Sequence, residues 1–80
     1  MEFELQVLKD LEQMEGSKVD EKYSKEGLYS QYKKAVVVLK EKGYVTGAII
    51  SDYKMDEEPA IVSLKVAELT EKAEKLLSKN

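Results

Sequence analysis

The sequence predicts an α+β domain: a three-helix core, a two-stranded antiparallel hairpin and a C-terminal helix. Three observations carry this. Apolar residues recur at intervals of three and four up to Gly43; the stretches Tyr44 to Ser51 and Ile61 to Val66 are rich in β-branched residues; helical spacing returns after Thr70. At 80 residues, with 42% hydrophobic and 36% charged side chains, residues 1–80 form one domain with a small core and a solvated shell.

Taken in order, Phe3, Val7, Leu8, Leu11 and Met14 fall on one face of a helix from about Glu2 to Glu15, with Gly16 as its stop. Ser17 to Val19 is too short to stand alone. Asp20 follows, a carboxylate able to cap a short helix running to about Ser24 and ended by Gly27. Ser30 is a second candidate cap. Beyond it Tyr32, Ala35, Val36 and Leu39 form the clearest helical stripe, which Gly43 closes after Lys40 and Lys42. Val37 and Val38 widen that stripe, so the helix is either central to the core or has a second face for another contact. Between the two strands, Asp52 to Pro59 is a polar, acidic hairpin tip, and Pro59 sits where a strand begins with no ladder bond to lose. Thr70 caps a last helix with Glu71 and Glu74 early and Lys75 and Lys79 late, its Ala73, Leu76 and Leu77 facing inward.

This order of elements resembles a winged helix-turn-helix domain. The stretch VVVLKEKGYVTGAIISD, from Val36 to Asp52, resembles the end of a winged-helix third helix entering the wing. LTEKAEKLL, from Leu69 to Leu77, resembles the helix that follows the wing in bacterial and phage regulators. More narrowly, the chain is similar to the YjcQ-like family of small Firmicute and phage proteins, which carry an LxxxGY turn before the first wing strand and an LTxKGxxxL helix after the second. Leu39, Gly43 and Tyr44 match the first, and Leu69, Thr70, Lys72 and Leu77 the second. Ala73 stands where the pattern has glycine, a departure that favours the helix by about 1 kcal/mol. The resemblance implies a winged-helix fold and a role in DNA binding or transcription regulation.

The residues themselves supply a site for that role. The helix Ser30 to Lys42 holds Lys33, Lys34, Lys40 and Lys42 against Glu41 alone, a local charge of +3. With Tyr32, Ala35, Val36 and Leu39 facing the core, Gln31 is placed to read an adenine edge while Lys33, Lys34 and Lys40 meet phosphates. The opposing reading is a solvated lysine face with no ligand. The charge pattern divides the chain: Met1 to Glu15 carries −4, Lys18 to Lys42 +3, Gly43 to Pro59 −3 and Ala60 to Asn80 +1, for a net −3. A basic face can meet DNA despite that total, because the local field governs the encounter. Asp52, Asp56, Glu57 and Glu58, however, would repel a phosphate backbone, and without arginine the commonest bidentate guanine contact is missing. Any binding of double-stranded DNA is therefore expected to be weak.

An alternative function is that of a protein-interaction module, a homodimer or a complex with another protein, with no nucleic-acid role. Val37 and Val38 are its candidate interface, with Ile49 and Ile50 adding apolar surplus. Tyr23, Tyr29 and Tyr53 lie in less regular segments, where tyrosine beside lysine can stack on bases, anchor a partner or pack at an edge. The acidic tip offers oxygen ligands, but its spacing is not that of an EF-hand loop, and a solvated tip is the favoured reading. The absence of Cys, His, Trp and Arg removes disulfides, thiolate or imidazole metal ligands and histidine-based nucleophilic catalysis. No catalytic residue, metal, cofactor or small-molecule substrate is expected. The longest apolar run, Ala35 to Leu39, is far short of the roughly 20 residues that cross a bilayer, so no membrane partner is expected. The acidic start MEFELQ is unlike a secretory signal and predicts a cytoplasmic chain.

Overall fold

The structure, a computed structural model, describes residues 2–51, 59 and 61–79. Its described elements are α1 (Glu2–Gln13), α2 (Gly16–Lys25), α3 (Tyr29–Glu41), β1 (Val45–Thr46), β2 (Ile49–Ser51), β3 (Ile61–Ser63), β4 (Glu68–Leu69) and α4 (Glu71–Ser78). The architecture is α+β, with helices and antiparallel strand pairs sharing one core.

Helix α1 buries Val7 and Leu8 and rests Phe3, Leu11 and Met14 against the core, as its spacing predicts. The next segment differs from expectation. Gly16 opens α2 rather than merely stopping α1, and Ser17 to Val19, expected outside any element, are its first turns. Close packing explains why glycine stands there: a Cβ at Gly16 would lie 1.5 Å from the Leu64 carbonyl oxygen. Asp20 consequently sits inside α2 and caps nothing.

Helix α2 ends in a Schellman motif. The Gly27 amide donates to the Ser24 carbonyl at 3.4 Å and the Leu28 amide to the Tyr23 carbonyl at 3.0 Å, with Gly27 at φ 73°. That left-handed conformation is one a side chain resists. The same pair of bonds closes α3, from Gly43 to Lys40 and from Tyr44 to Leu39. Ser30 is not the cap of α3; Leu28 holds that position without a side-chain bond, and Ser30 lies in the first turn. Thr70 does cap α4, its Oγ1 accepting from the Ala73 amide at 3.3 Å and donating to the Gly43 carbonyl at 2.6 Å. One threonine thus ties the ends of α3 and α4 together.

Each expected strand is shorter than its sequence stretch. Tyr44 to Ser51 breaks into β1 and β2 at Gly47, which adopts φ 79° where a Cβ would approach the Val66 carbonyl oxygen to 2.8 Å. Ile61 to Val66 keeps only β3, because Leu64 to Ala67 turns, closed by an Ala67 amide to Leu64 carbonyl bond of 3.0 Å. The ladder resumes beyond. β1 pairs with β4 (Val45 opposite Leu69, Thr46 opposite Glu68), and β2 pairs with β3 (Ile49 opposite Ser63, Ile50 opposite Val62, Ser51 opposite Ile61). Alternation turns Val62 and Ile50 inward and leaves Ile49 and Ile61, 47% and 58% exposed, on the outer face. Pro59 is fully buried ahead of β3. The acidic tip, with Asp52, Tyr53, Asp56, Glu57 and Glu58, lies outside the described residues.

At the centre, Tyr23 stacks on Tyr32 with ring centroids 5.0 Å apart, Phe3 meets Tyr23 edge-on at 5.4 Å and Tyr29 leans on Tyr32 at 6.0 Å. Tyr23 is therefore a core residue rather than a peripheral anchor. Offset and edge-on aromatic pairs each add about 0.5 to 1.5 kcal/mol beyond burial, so this row fastens α1, α2 and α3.

Candidate nucleic-acid interface

Helices α2 and α3 are joined by a three-residue turn, Glu26 to Leu28, with Gly27 at its middle. A short turn holding a left-handed glycine is how two consecutive helices are set at a fixed crossing. Side-chain bonds then lock the pair to the strands. The Asp20 carboxylate accepts from the Tyr32 hydroxyl of α3, from Ser63 Oγ at 2.7 Å and from the Leu64 amide at 3.0 Å. Tyr29 completes the clamp: its hydroxyl donates to the Val62 carbonyl at 3.2 Å and accepts from the Val62 amide at 3.3 Å. Together Asp20 and Tyr29 occupy the edge of β3 turned away from β2, so β3 is bonded directly to both α2 and α3.

A second carboxylate joins α1 to α2. Asp10, buried at 5% exposure, accepts from the Tyr23 hydroxyl at 2.5 Å, from Lys22 Nζ at 3.0 Å and from Gln6 Nε2 at 3.2 Å. Three donors and an ammonium charge offset the desolvation of this carboxylate. Burial, and then the hydrogen bond to Asp20, pushes the Tyr32 hydroxyl far above the usual phenol range; burial and Asp10 do the same to Tyr23.

On this rigid base α3 displays the predicted residues. Gln31, Lys34 and Lys40 are exposed, while Lys33 is half-buried with its Nζ 5.2 Å from the Tyr29 ring centroid. At about 100° per residue, Gln31, Lys34 and Val38 share one flank of the outer face, and Lys33 and Lys40 share the other. The four residues thus fall into two flanking pairs rather than one continuous patch. Val37 falls between them, about 160° around the helix from Leu39. It is nevertheless only 7% exposed and borders, with Lys40, Glu41 and Ile50, a recess of about 260 Å³. The second apolar face of α3 is therefore largely covered within the molecule, and of the two valines Val38 alone stays partly open, at a half-buried position.

Sequence reasoning missed the lysines of α2. Lys18, Lys22 and Lys25 recur at helical spacing, but the helix they share begins at Gly16, ahead of the start that the capping preference of Asp20 predicts. Most of that charge is compensated. Lys22 pairs with Asp10, and Lys25 lies 2.6 Å from Glu21, whose carboxyl it holds below the usual carboxylate range while its own ammonium is raised. Among the described residues no three acidic side chains gather to hold a metal, and no helix is long and apolar enough to cross a membrane.

No family model, no curated protein and no solved structure matches this chain.

Proposed function

We propose that this chain is a small, non-enzymatic winged-helix protein of bacterial or phage type that binds duplex DNA weakly through α3 and regulates transcription in the cytoplasm. The observation that carries the reading is the α2–turn–α3 unit, with Gly27 in its turn, followed by an antiparallel hairpin and a terminal helix. In such a unit the second helix enters the major groove. Lys34 and Lys40, exposed on opposite flanks, meet phosphates; Lys33 meets them with its ammonium over Tyr29; Gln31 reads a base edge from the Lys34 flank. The role is occupancy of a site rather than catalysis.

The test is an amide NMR titration of the labelled chain with a mixed-sequence duplex at low salt, repeated on Lys34→Glu with Lys40→Glu. We expect shifts confined to Gln31 to Lys40 and their disappearance in the double variant, whose helical circular dichroism is unchanged because both positions are exposed. Equal binding by the variant removes α3 as the contact surface.

A further inference from the structure

A second surface lies outside α3 and shares no residue with it. Between the end of α1, the start of α2 and the β4–α4 segment opens a recess of about 620 Å³. Its floor is apolar: Leu11, Met14, Ala67 and Leu69 line it, each half-buried with part of its surface still in water. Its rim is acidic. Glu12, Glu15, Glu68 and Glu74, all exposed, surround the floor, opposed by Lys65 alone. Among the described residues these four carboxylates make no ion pair, whereas Glu21 and Glu71, elsewhere on the surface, are paired with Lys25 and Lys75. The groove therefore combines uncovered apolar area with a predominantly acidic rim.

We infer that this groove is a docking site for a basic amphipathic segment of a partner protein, one that lays leucine-like side chains on Leu11, Met14 and Leu69 and directs lysine or arginine toward Glu12, Glu15, Glu68 and Glu74. Charge complementarity selects this occupant. A nucleic acid or an acidic peptide would face four carboxylates of its own sign, a juxtaposition that excludes wrong partners. A second copy of this chain would present the lysines of α3 with Val37 covered and only Val38 partly open beside them, too little apolar surface to fill the floor. A helix laid in a groove uses apolar anchors spaced at three and four, which suits a floor built from one helix face and one short strand.

The probe is a peptide of about 15 residues, long enough to form a helix on contact, with leucines at intervals of three and four and lysines elsewhere. Added to the labelled full chain, it is expected to shift the amides of Leu11, Met14, Gly16, Ala67 and Leu69 and to leave Gln31 to Lys40 unmoved. Glu12→Lys with Glu74→Lys is expected to weaken binding by about tenfold while the melting curve confirms a folded chain. A control peptide with serine in place of leucine that binds equally well, or a double variant that binds as wild type does, overturns the proposal. So does a shift of the same amides on concentrating the protein alone with dimers in sedimentation, which assigns the groove to a second copy.

Discussion

Asp20 shows how much one side chain decides. Its carboxylate accepts from Tyr32, Ser63 and Leu64, so α2, α3 and the segment after β3 meet at a single group. Removing it leaves three donors without their acceptor at a half-buried site. At about 1 kcal/mol per orphaned donor, the low end of the range because water reaches part of the site, Asp20→Ala is expected to cost roughly 3 kcal/mol. Urea denaturation checks this as a lower midpoint with an unchanged slope; a loss under about 1 kcal/mol contradicts the hub role. The tyrosines facing Asp20 and Asp10 give a pH dependence. Burial and the adjacent carboxylates favour the neutral phenols, so Tyr32 and Tyr23 keep their protons in the fold well above the ordinary 10.0. In the unfolded chain they ionise near that ordinary value, so the unfolded state binds fewer protons at alkaline pH. Their contribution to stability is full below about pH 10 and is lost as pH rises beyond it. Tyrosinate absorbance from these two should therefore appear together with loss of helical circular dichroism, and its appearance in a still-folded chain would falsify the assignment.

Among the elements, α1, α3 and α4 were legible because each carries an apolar stripe at helical spacing that its core contacts use. Helix α2 was only half legible. Its first turns, Gly16 to Val19, offer Val19 as the lone buried side chain besides the glycine, and the reason for Gly16 lies 48 residues away at the Leu64 carbonyl. No local pattern encodes such an approach. The two glycines flanking α2 should consequently respond differently to alanine. Gly27→Ala meets no neighbour within 4 Å and loses only the ease of its left-handed conformation, about 1 kcal/mol. Gly16→Ala forces two backbones apart and should cost about 3 kcal/mol, the upper end for an overpacked site. Thermal melts of the two variants rank them, and a Gly16→Ala protein as stable as Gly27→Ala would contradict the packing of α2 against Leu64. The strands were legible in content but not in extent. Their β-branched residues announce pairing, while Gly47 and the Leu64–Ala67 turn divide the ladder for reasons of tertiary fit.

For the molecule as a whole, function turns on where charge is placed rather than on its total. The net charge is −3, yet exposed Lys34 and Lys40 sit on α3 while Glu12, Glu15, Glu68 and Glu74 ring the groove by α1, β4 and α4. If Lys33, Lys34 and Lys40 each displace one counterion from DNA, the log–log salt slope of duplex binding should be about −2.7, falling to about −0.9 in Lys34→Ala with Lys40→Ala. A slope near zero in the native chain argues against phosphate contact altogether. The candidate site was legible as a composition, four lysines on a helix with one acid. Its division into two flanks around a mostly covered Val37 was not, because burial of Val37 depends on what packs against it in three dimensions rather than on helical spacing. The acidic groove was not legible as a surface either. Its carboxylates come from residues 12, 15, 68 and 74, which only the packing of α1 against β4 and α4 brings together.

The sequence by itself determined the helical stripes, the Gly27, Gly43 and Thr70 boundaries, the switch to strand content after Gly43 and the lysine-rich character of α3. Each of these is a local property, fixed by the periodicity of burial or by the backbone preference of one residue. Tertiary structure alone decided that Asp10 and Asp20 are tied in as interior hydrogen-bond hubs, that Tyr23 is core, that Val37 is covered, that Gly16 opens a helix and that four distant glutamates share one rim. Those facts depend on which side chains and carbonyls meet across tens of residues, and a meeting of that kind leaves no periodic trace in the chain.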